Sequence, residues 1–279
     1  MAREFGVERY NDILPTAKLK AIATEQAASY QTAAPFPHIY LDNLFPEAML
    51  DAVAAEFPEP DDPSWFRFHN PREIKLASQG DERLGPNARA LINNLNSGTF
   101  IAFLEQLTGI EGPIPDPHLE GGGMHQILPG GKLSVHIDFN RHTRLNLERR
   151  LNVLIYLNRD WDESYGGHFE LWNREMTRSE VKILPLFNRM ALFSTSEISW
   201  HGHPNPLTCP PGRSRRSIAL YYYTVGRPEA ERAAEHSTVF HDRPGESLFT
   251  DQPPLAERLR AVAKDWVPPA IARRIGRSG

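Results

Sequence analysis

The sequence has little of what marks a secreted, membrane-spanning or nucleic-acid-gripping protein. It carries one cysteine, Cys209. No internal disulfide can form, and a reducing compartment is expected. No apolar run approaches the roughly 18 residues that a bilayer-spanning helix needs. The opening MAREFGVERYNDILP has no apolar stretch behind a basic one, so no secretory signal is expected. Charge of either sign is modest: the net is -4 at pH 7. That excludes a protein whose main business is holding a polyanion. The expectation is a cytoplasmic location, with neither a membrane nor nucleic acid as partner.

Proline and glycine are plentiful, at 24 and 19 residues. They imply many turns and favour a β-rich core over a helix bundle. Residues 1–35 read as an N-terminal extension, weakly structured or helical, with KLKAIATEQAASYQTAA of helix-forming composition. PFPHIYLDNLF (35–45) reads as a strand entering the domain. PEAMLDAVAAEF (46–57) has apolar residues at helical spacing, with Pro46 placed to start the helix. FPEPDDPSWFRFHNPREIK reads as a proline-rich surface loop. Residues 88–110 carry one or two further helices that would buttress a sheet. Beyond Ile110 the period falls from 3.6 to 2. MHQIL, KLSVHID, LNVLIYL, HFELW, VKIL, MALFS and SIALYYYT are apolar or alternating runs separated by PGG, YGG, PLFN and PPGR. About seven such strands between residues 120 and 225 predict a β-sandwich or jelly roll. The fold class is therefore mainly β with flanking α. One domain is expected over 36–226, with helical support at 46–110 and the core at 120–226. Residues 227–279 form a C-terminal extension with a helix over 255–267.

The second half also holds a spaced polar set: His136, Asp138, His201 and Arg215. On a strand, residues two apart share a face, so KLSVHID aims His136 and Asp138 the same way. Two imidazoles and one carboxylate can occupy one face of an octahedron and leave the other open, as non-haem Fe(II) requires. A His-x-Asp pair alone arises easily by chance. The set gains weight from strand placement, a distal histidine after the strand MALFS, and an arginine on the next strand. An arginine there could grip an acidic co-substrate with a two-pronged hydrogen bond.

Residues 136–224 resemble the Fe(II)/2-oxoglutarate-dependent dioxygenase superfamily, most closely its prolyl 4-hydroxylase-like branch. The resemblance rests on His136-x-Asp138, the distal His201, Arg215 opening the last core strand, and two longer stretches. These are RRLNVLIYLNRDWDESYGGHFELW (149–172) and FNRMALF (187–193). It implies a double-stranded β-helix with Fe(II) held by His136, Asp138 and His201. It implies 2-oxoglutarate and O₂ as co-substrates, and admits ascorbate as a reductant. It places Arg215 and Tyr156 against 2-oxoglutarate; Asn152, a polar group on the same inward face as Tyr156, needs a partner and is expected against the co-substrate or substrate. The reaction implied is hydroxylation of an unactivated C–H, with 2-oxoglutarate oxidised to succinate and CO₂. A prolyl residue or a related small molecule would be the substrate.

Several choices stay open at this level. His203 competes with His201 for the distal position, and Arg213 and Arg216 compete with Arg215. Two-residue alternation groups Arg215 with Ser217, Ala219 and Tyr221, and puts Arg216 with Ile218 and Leu220 on the other face. His125 and Gln126 are placed at the mouth of the site. Arg141, His142 and Arg144 read as solvated loop charges. Gly166 and Gly167 read as turn residues, and Trp161, Trp172 and Trp200 as packing. Two other functions share such a scaffold: a cupin-like metalloenzyme and a non-catalytic jelly-roll binding module. The trailing arginine weighs against both.

Overall fold

The computed structural model describes residues 13–247 apart from Gln79. Contacts divide the chain after Pro244, and every element described lies in the first unit. The helix expected over 255–267 falls outside the described residues.

Among the described residues the α-helices are α1 (Thr16–Gln31), α2 (Glu47–Ala54), α3 (Pro86–Leu95) and α4 (Gly98–Thr108). Among them runs β1 (His38–Asp42), then a hairpin of β2 (Phe66–His69) and β3 (Glu73–Ala77). After α4 come β4 (Ile114–Pro115), β5 (Gly123–Ile127), β6 (Lys132–Ile137), β7 (Glu148–Tyr156), β8 (Phe169–Trp172) and β9 (Ser179–Ile183). The chain continues through β10 (Arg189–Ser194), β11 (His201–His203), β12 (Arg215–Thr224) and β13 (Val239–Phe240). All the pairings are antiparallel, in the order β1-β10-β7-β12-β5-β3-β6-β11-β8-β9.

That sheet is rolled. Tyr156 of β7 and Phe193 of β10 share one buried cluster with Phe169 and Leu171 of β8 and Ile183 of β9, so strands far apart in the order face each other. The jelly-roll core follows from this closure. The outer face of the same strands is covered by the helices. Leu151, Val153 and Ile155 of β7 and Ile218, Leu220 and Tyr222 of β12 are buried with Leu91, Leu95, Phe100 and Leu104. Each such aliphatic side chain contributes about 1.5–3 kcal/mol by leaving water. The Tyr222 hydroxyl donates to the Leu95 carbonyl at 3.0 Å and satisfies its one buried polar atom.

One stretch differs from the sequence reading. The expected loop over FPEPDDPSWFRFHNPREIK contains the β2–β3 hairpin. Its turn is closed by Asn70, whose side chain accepts from the Arg72 and Glu73 amides at 2.9 and 3.0 Å. β3 then pairs with both β5 and β6, bridging the two halves of the roll. The prolines lie before β2 and in the turn, where they remove no ladder bond. The flanks also join the compact unit. Gln106 of α4 donates to Thr24 of α1 at 2.9 Å, and β13 pairs with Ile137 and His136 of β6. Among the described residues, no helix is long and apolar enough to cross a membrane.

Candidate active site

β6 and β11 lie side by side with His136 directly opposite His201. The approach depends on Gly202. A Cβ there would sit 2.8 Å from the Leu133 carbonyl oxygen and 2.9 Å from that of Ser134, both backbone atoms. His136 and Asp138 share the inner face at the end of β6. Ligand-type atoms of His136, Asp138 and His201 all fall within 4.8 Å of one another. His136 Nε2 is 3.6 Å from Asp138 Oδ1, and His201 Nε2 is 3.4 Å from Asp138 Oδ2. The grouping takes in His201 and leaves His203 out.

The two histidines are oriented in the same way. His136 Nδ1 lies 2.8 Å from the Ser134 carbonyl, and His201 Nδ1 lies 2.8 Å from that of Ser199. A carbonyl only accepts, so each Nδ1 carries the proton, and each neutral ring presents the lone pair of Nε2. Burial first, and then the neighbouring His136 ring, push His201 down to about 3. It is neutral at working pH, as a metal ligand must be. Burial alone raises the Asp138 carboxyl. The Arg149 guanidinium, followed by the His201 ring, outweighs it, so the group titrates well below the usual carboxylate range. The two Nε2 atoms and the carboxylate therefore converge on one point. That donor set fits a divalent cation of the Fe(II) type. Phe193 lies 4.6 Å from the His201 ring and Phe240 of β13 lies 5.4 Å from His136, which keeps the flanks dry.

Behind Asp138 sits a side chain that sequence reasoning passed over. Arg149 is 1% exposed, and its Nη2 is 3.1 Å from Asp138 Oδ2. Its guanidinium stacks on Tyr221, 3.5 Å from the ring centre, with Phe139 at 4.5 Å on the same group. Its Nε donates to Asn152 Oδ1 at 2.9 Å, and Asn152 Nδ2 donates to Asp138 Oδ2 at 2.7 Å. Both ends of the Asn152 amide are thus taken. In the structure Asn152 braces the Asp138 carboxylate. The only sequence signal for Arg149 was a basic residue next to an inward-facing strand.

Arg215 opens β12 with its side chain buried. Its Nε donates to the Gly167 carbonyl at 2.9 Å, and its Nη2 donates to the Tyr156 hydroxyl at 3.3 Å. Gly167 has φ +72, and a Cβ there would meet Arg215 Cδ at 3.0 Å, so the turn must be bare to receive the arginine. Burial lowers the Arg215 pKa and raises that of Tyr156, and their mutual interaction opposes both shifts. Arg216 points the other way, donating to the Ala54 carbonyl at 3.1 Å in the helical layer. Arg213 donates to the Arg159 carbonyl at 2.9 Å in the preceding turn. Arg215 is the one of the three that faces inward with Tyr156.

Residues 122–223 match the model of the 2OG-Fe(II) oxygenase superfamily. That stretch holds His136, Asp138, His201 and Arg215. The chain is a 2-oxoglutarate-dependent oxygenase, with Fe(II) and 2-oxoglutarate as cofactor and co-substrate. No curated protein is close enough in sequence to count as a relative. Among solved structures, a Pseudomonas putida prolyl-4-hydroxylase superposes with a TM-score of 0.52 at 16% identity, covering 75% of this chain and 100% of its own. A Trichoplax adhaerens prolyl hydroxylase, solved with a hypoxia inducible factor peptide, gives 0.56 at 20% identity over 74% of this chain and 91% of its own. The carbocyclase SnoK from nogalamycin biosynthesis gives 0.53 at 12% identity over 80% and 96%. At such identities the likeness is one of fold.

Around this oxygenase centre, other sequence expectations divide. His125 lines a groove of about 570 Å³ together with Phe66, Phe68, Lys75, Glu120 and Arg144. Gln126 does not: it is buried on the opposite face and donates to Ser214 Oγ at 2.9 Å. His142 is not a solvated loop charge. It is 1% exposed, with Nε2 3.0 Å from Asp116 Oδ1 and Nδ1 accepting from the Arg144 amide at 3.1 Å. Its role is to pin the loop after β6 to the loop before β5.

Proposed function

We propose that this oxygenase hydroxylates an unactivated C–H of a substrate entering through the groove beside His125, with conversion of 2-oxoglutarate to succinate and CO₂. The observation that carries the reading is the convergence of two Nδ1-anchored histidines on Asp138. His136, Asp138 and His201 would hold the metal through Nε2, a carboxylate oxygen and Nε2. When bound, Fe(II) supplies the O₂ activation that couples loss of CO₂ from 2-oxoglutarate to insertion of one oxygen atom into the C–H bond.

The protein's own share is positioning and exclusion of water. Two of the five N–H groups of Arg215 are committed to Gly167 and Tyr156, which fixes the plane of the guanidinium. Nη1 is left to receive the far carboxylate of 2-oxoglutarate. The Tyr156 hydroxyl accepts from Arg215 and can donate its own proton to the same carboxylate. Arg149 and Asn152 hold Asp138 Oδ2, which leaves Oδ1 free for the metal. Phe169, Phe193 and Phe240 wall the histidines. The groove combines exposed Phe66 with Lys75, Glu120 and Arg144, so it offers an aromatic surface ringed by charge. A prolyl carbon, in a polypeptide or a small molecule, is the first substrate class to test.

The test is succinate release from 2-oxoglutarate by the purified protein with Fe(II) and O₂. The wild type turns 2-oxoglutarate over; His136→Ala and Asp138→Ala do not. Full turnover in either variant would sink the assignment.

A further inference from the structure

We propose that His203 is a third contact for the far carboxylate of 2-oxoglutarate, beside Arg215 and Tyr156. The proposal rests on the co-substrate role assigned above to Arg215.

His203 is 3% exposed, and neither ring nitrogen has a hydrogen-bond partner. Every other histidine of the centre is engaged. His136 and His201 each donate to a backbone carbonyl two residues back, and His142 bridges two loops. A buried imidazole with both nitrogens idle is costly, and native interiors rarely keep one without a ligand or ion to receive it. It is not spare metal-binding capacity, because the grouping of ligand atoms excludes it.

Its position explains what it waits for. β11 bulges between His201 and His203: His201 stands opposite His136, while His203 stands opposite Leu133. The bulge carries His203 one step away from the metal-type cluster. β11 also runs antiparallel to β8, with Leu171 opposite His201 and Glu170 opposite Gly202, so the step from His201 to His203 leads toward the start of β8 and Gly167, whose carbonyl holds Arg215. An imidazole there has an N–H to donate. A donor beside the Arg215 guanidinium suits a carboxylate, which accepts from both at once. The far carboxylate is the part of the co-substrate that Arg215 and Tyr156 address, so His203 completes that end of its site. It is a binding residue for the co-substrate and takes no part in proton transfer.

The test uses Ni(II)-loaded full-length protein and calorimetric titration with 2-oxoglutarate and, separately, oxalate. Oxalate has the metal-chelating oxygens but no far carboxylate. His203→Leu is expected to weaken 2-oxoglutarate binding about tenfold or more, the worth of one hydrogen bond to a charged group, while oxalate binding stays within about twofold. His203→Gln keeps a donor and should recover most of the 2-oxoglutarate affinity. Unchanged 2-oxoglutarate binding in His203→Leu, or equal loss for both ligands, overturns the proposal. If the nickel-loaded wild type binds oxalate and not 2-oxoglutarate, the role of Arg215 fails first, and this proposal with it.

Discussion

Replacing Arg149 by methionine separates the charge that supports Asp138 from the metal that would use it. The guanidinium is buried, lies 3.1 Å from Asp138 Oδ2, and holds Asn152 in place through Nε. Methionine keeps much of the stem volume over Tyr221 and removes the charge. In metal-free protein the variant then buries a carboxylate with no cation beside it. Breaking a buried pair from one side costs about 3–5 kcal/mol. At about 2–4 °C per kcal/mol for a domain near this size, Tm should fall by roughly 6–20 °C.

The pH dependence gives the sign. In the wild type the folded Asp138 pKa lies well below the ordinary value. Its contribution to stability is present above the unfolded pKa of about 3.9 and is lost only as pH falls through the folded one. Without Arg149 the burial contribution is no longer offset by that charge, and the folded pKa moves up. If it rises above the unfolded value, metal-free Arg149→Met gains stability as pH is lowered from 7 towards 5, while the Asp138 contribution in the wild type stays flat. A divalent ion replaces the missing charge, so the deficit should shrink on loading with Zn(II). Urea unfolding at several pH values, with and without metal, reads all three effects. A metal-free loss below about 1 kcal/mol, with a wild-type pH profile, would refute the account of Arg149, because it would mean that the pair is no better than a surface one.

Other substitutions address the remaining parts of the site. Arg215→Ala should raise the 2-oxoglutarate concentration needed for half-maximal turnover by about tenfold or more, the cost of a lost charge-assisted contact. Arg216→Ala should leave that requirement unchanged, and steady-state kinetics on both variants would expose an error of one residue in the register. Gly202→Ala should force β11 away from the Leu133 and Ser134 carbonyls and weaken Zn(II) binding while the protein stays folded. Equal metal affinity in that variant would show that the close approach is not needed. Tyr156→Phe should weaken 2-oxoglutarate binding by a few-fold at unchanged metal affinity, since one neutral hydrogen bond contributes only about 0.5–1.5 kcal/mol; calorimetry on the metal-loaded protein checks both.

Alternation along single strands was enough to place several residues. KLSVHID put His136 and Asp138 on one face, and RRSIALYYYT put Arg215 on the face opposite Arg216, because side-chain direction in a strand is a local property of period two. The helical layer was equally local, written in apolar spacing over 46–57 and 88–110. What only the tertiary structure decided depends on which strands become neighbours. His201 was separated from His203 by a bulge and by the register of β11 against β6, neither of which leaves a local pattern. Asn152 was drawn to Asp138 and Arg149 because β7 passes behind the end of β6. Arg149 carried no assignment from its sequence, because it is the roll that buries it on Tyr221. The β2–β3 hairpin looked like a proline-rich loop because its stability comes from pairing with β5 and β6. A strand's face can be read from its own residues, but its partner is chosen by the closure of the whole sheet.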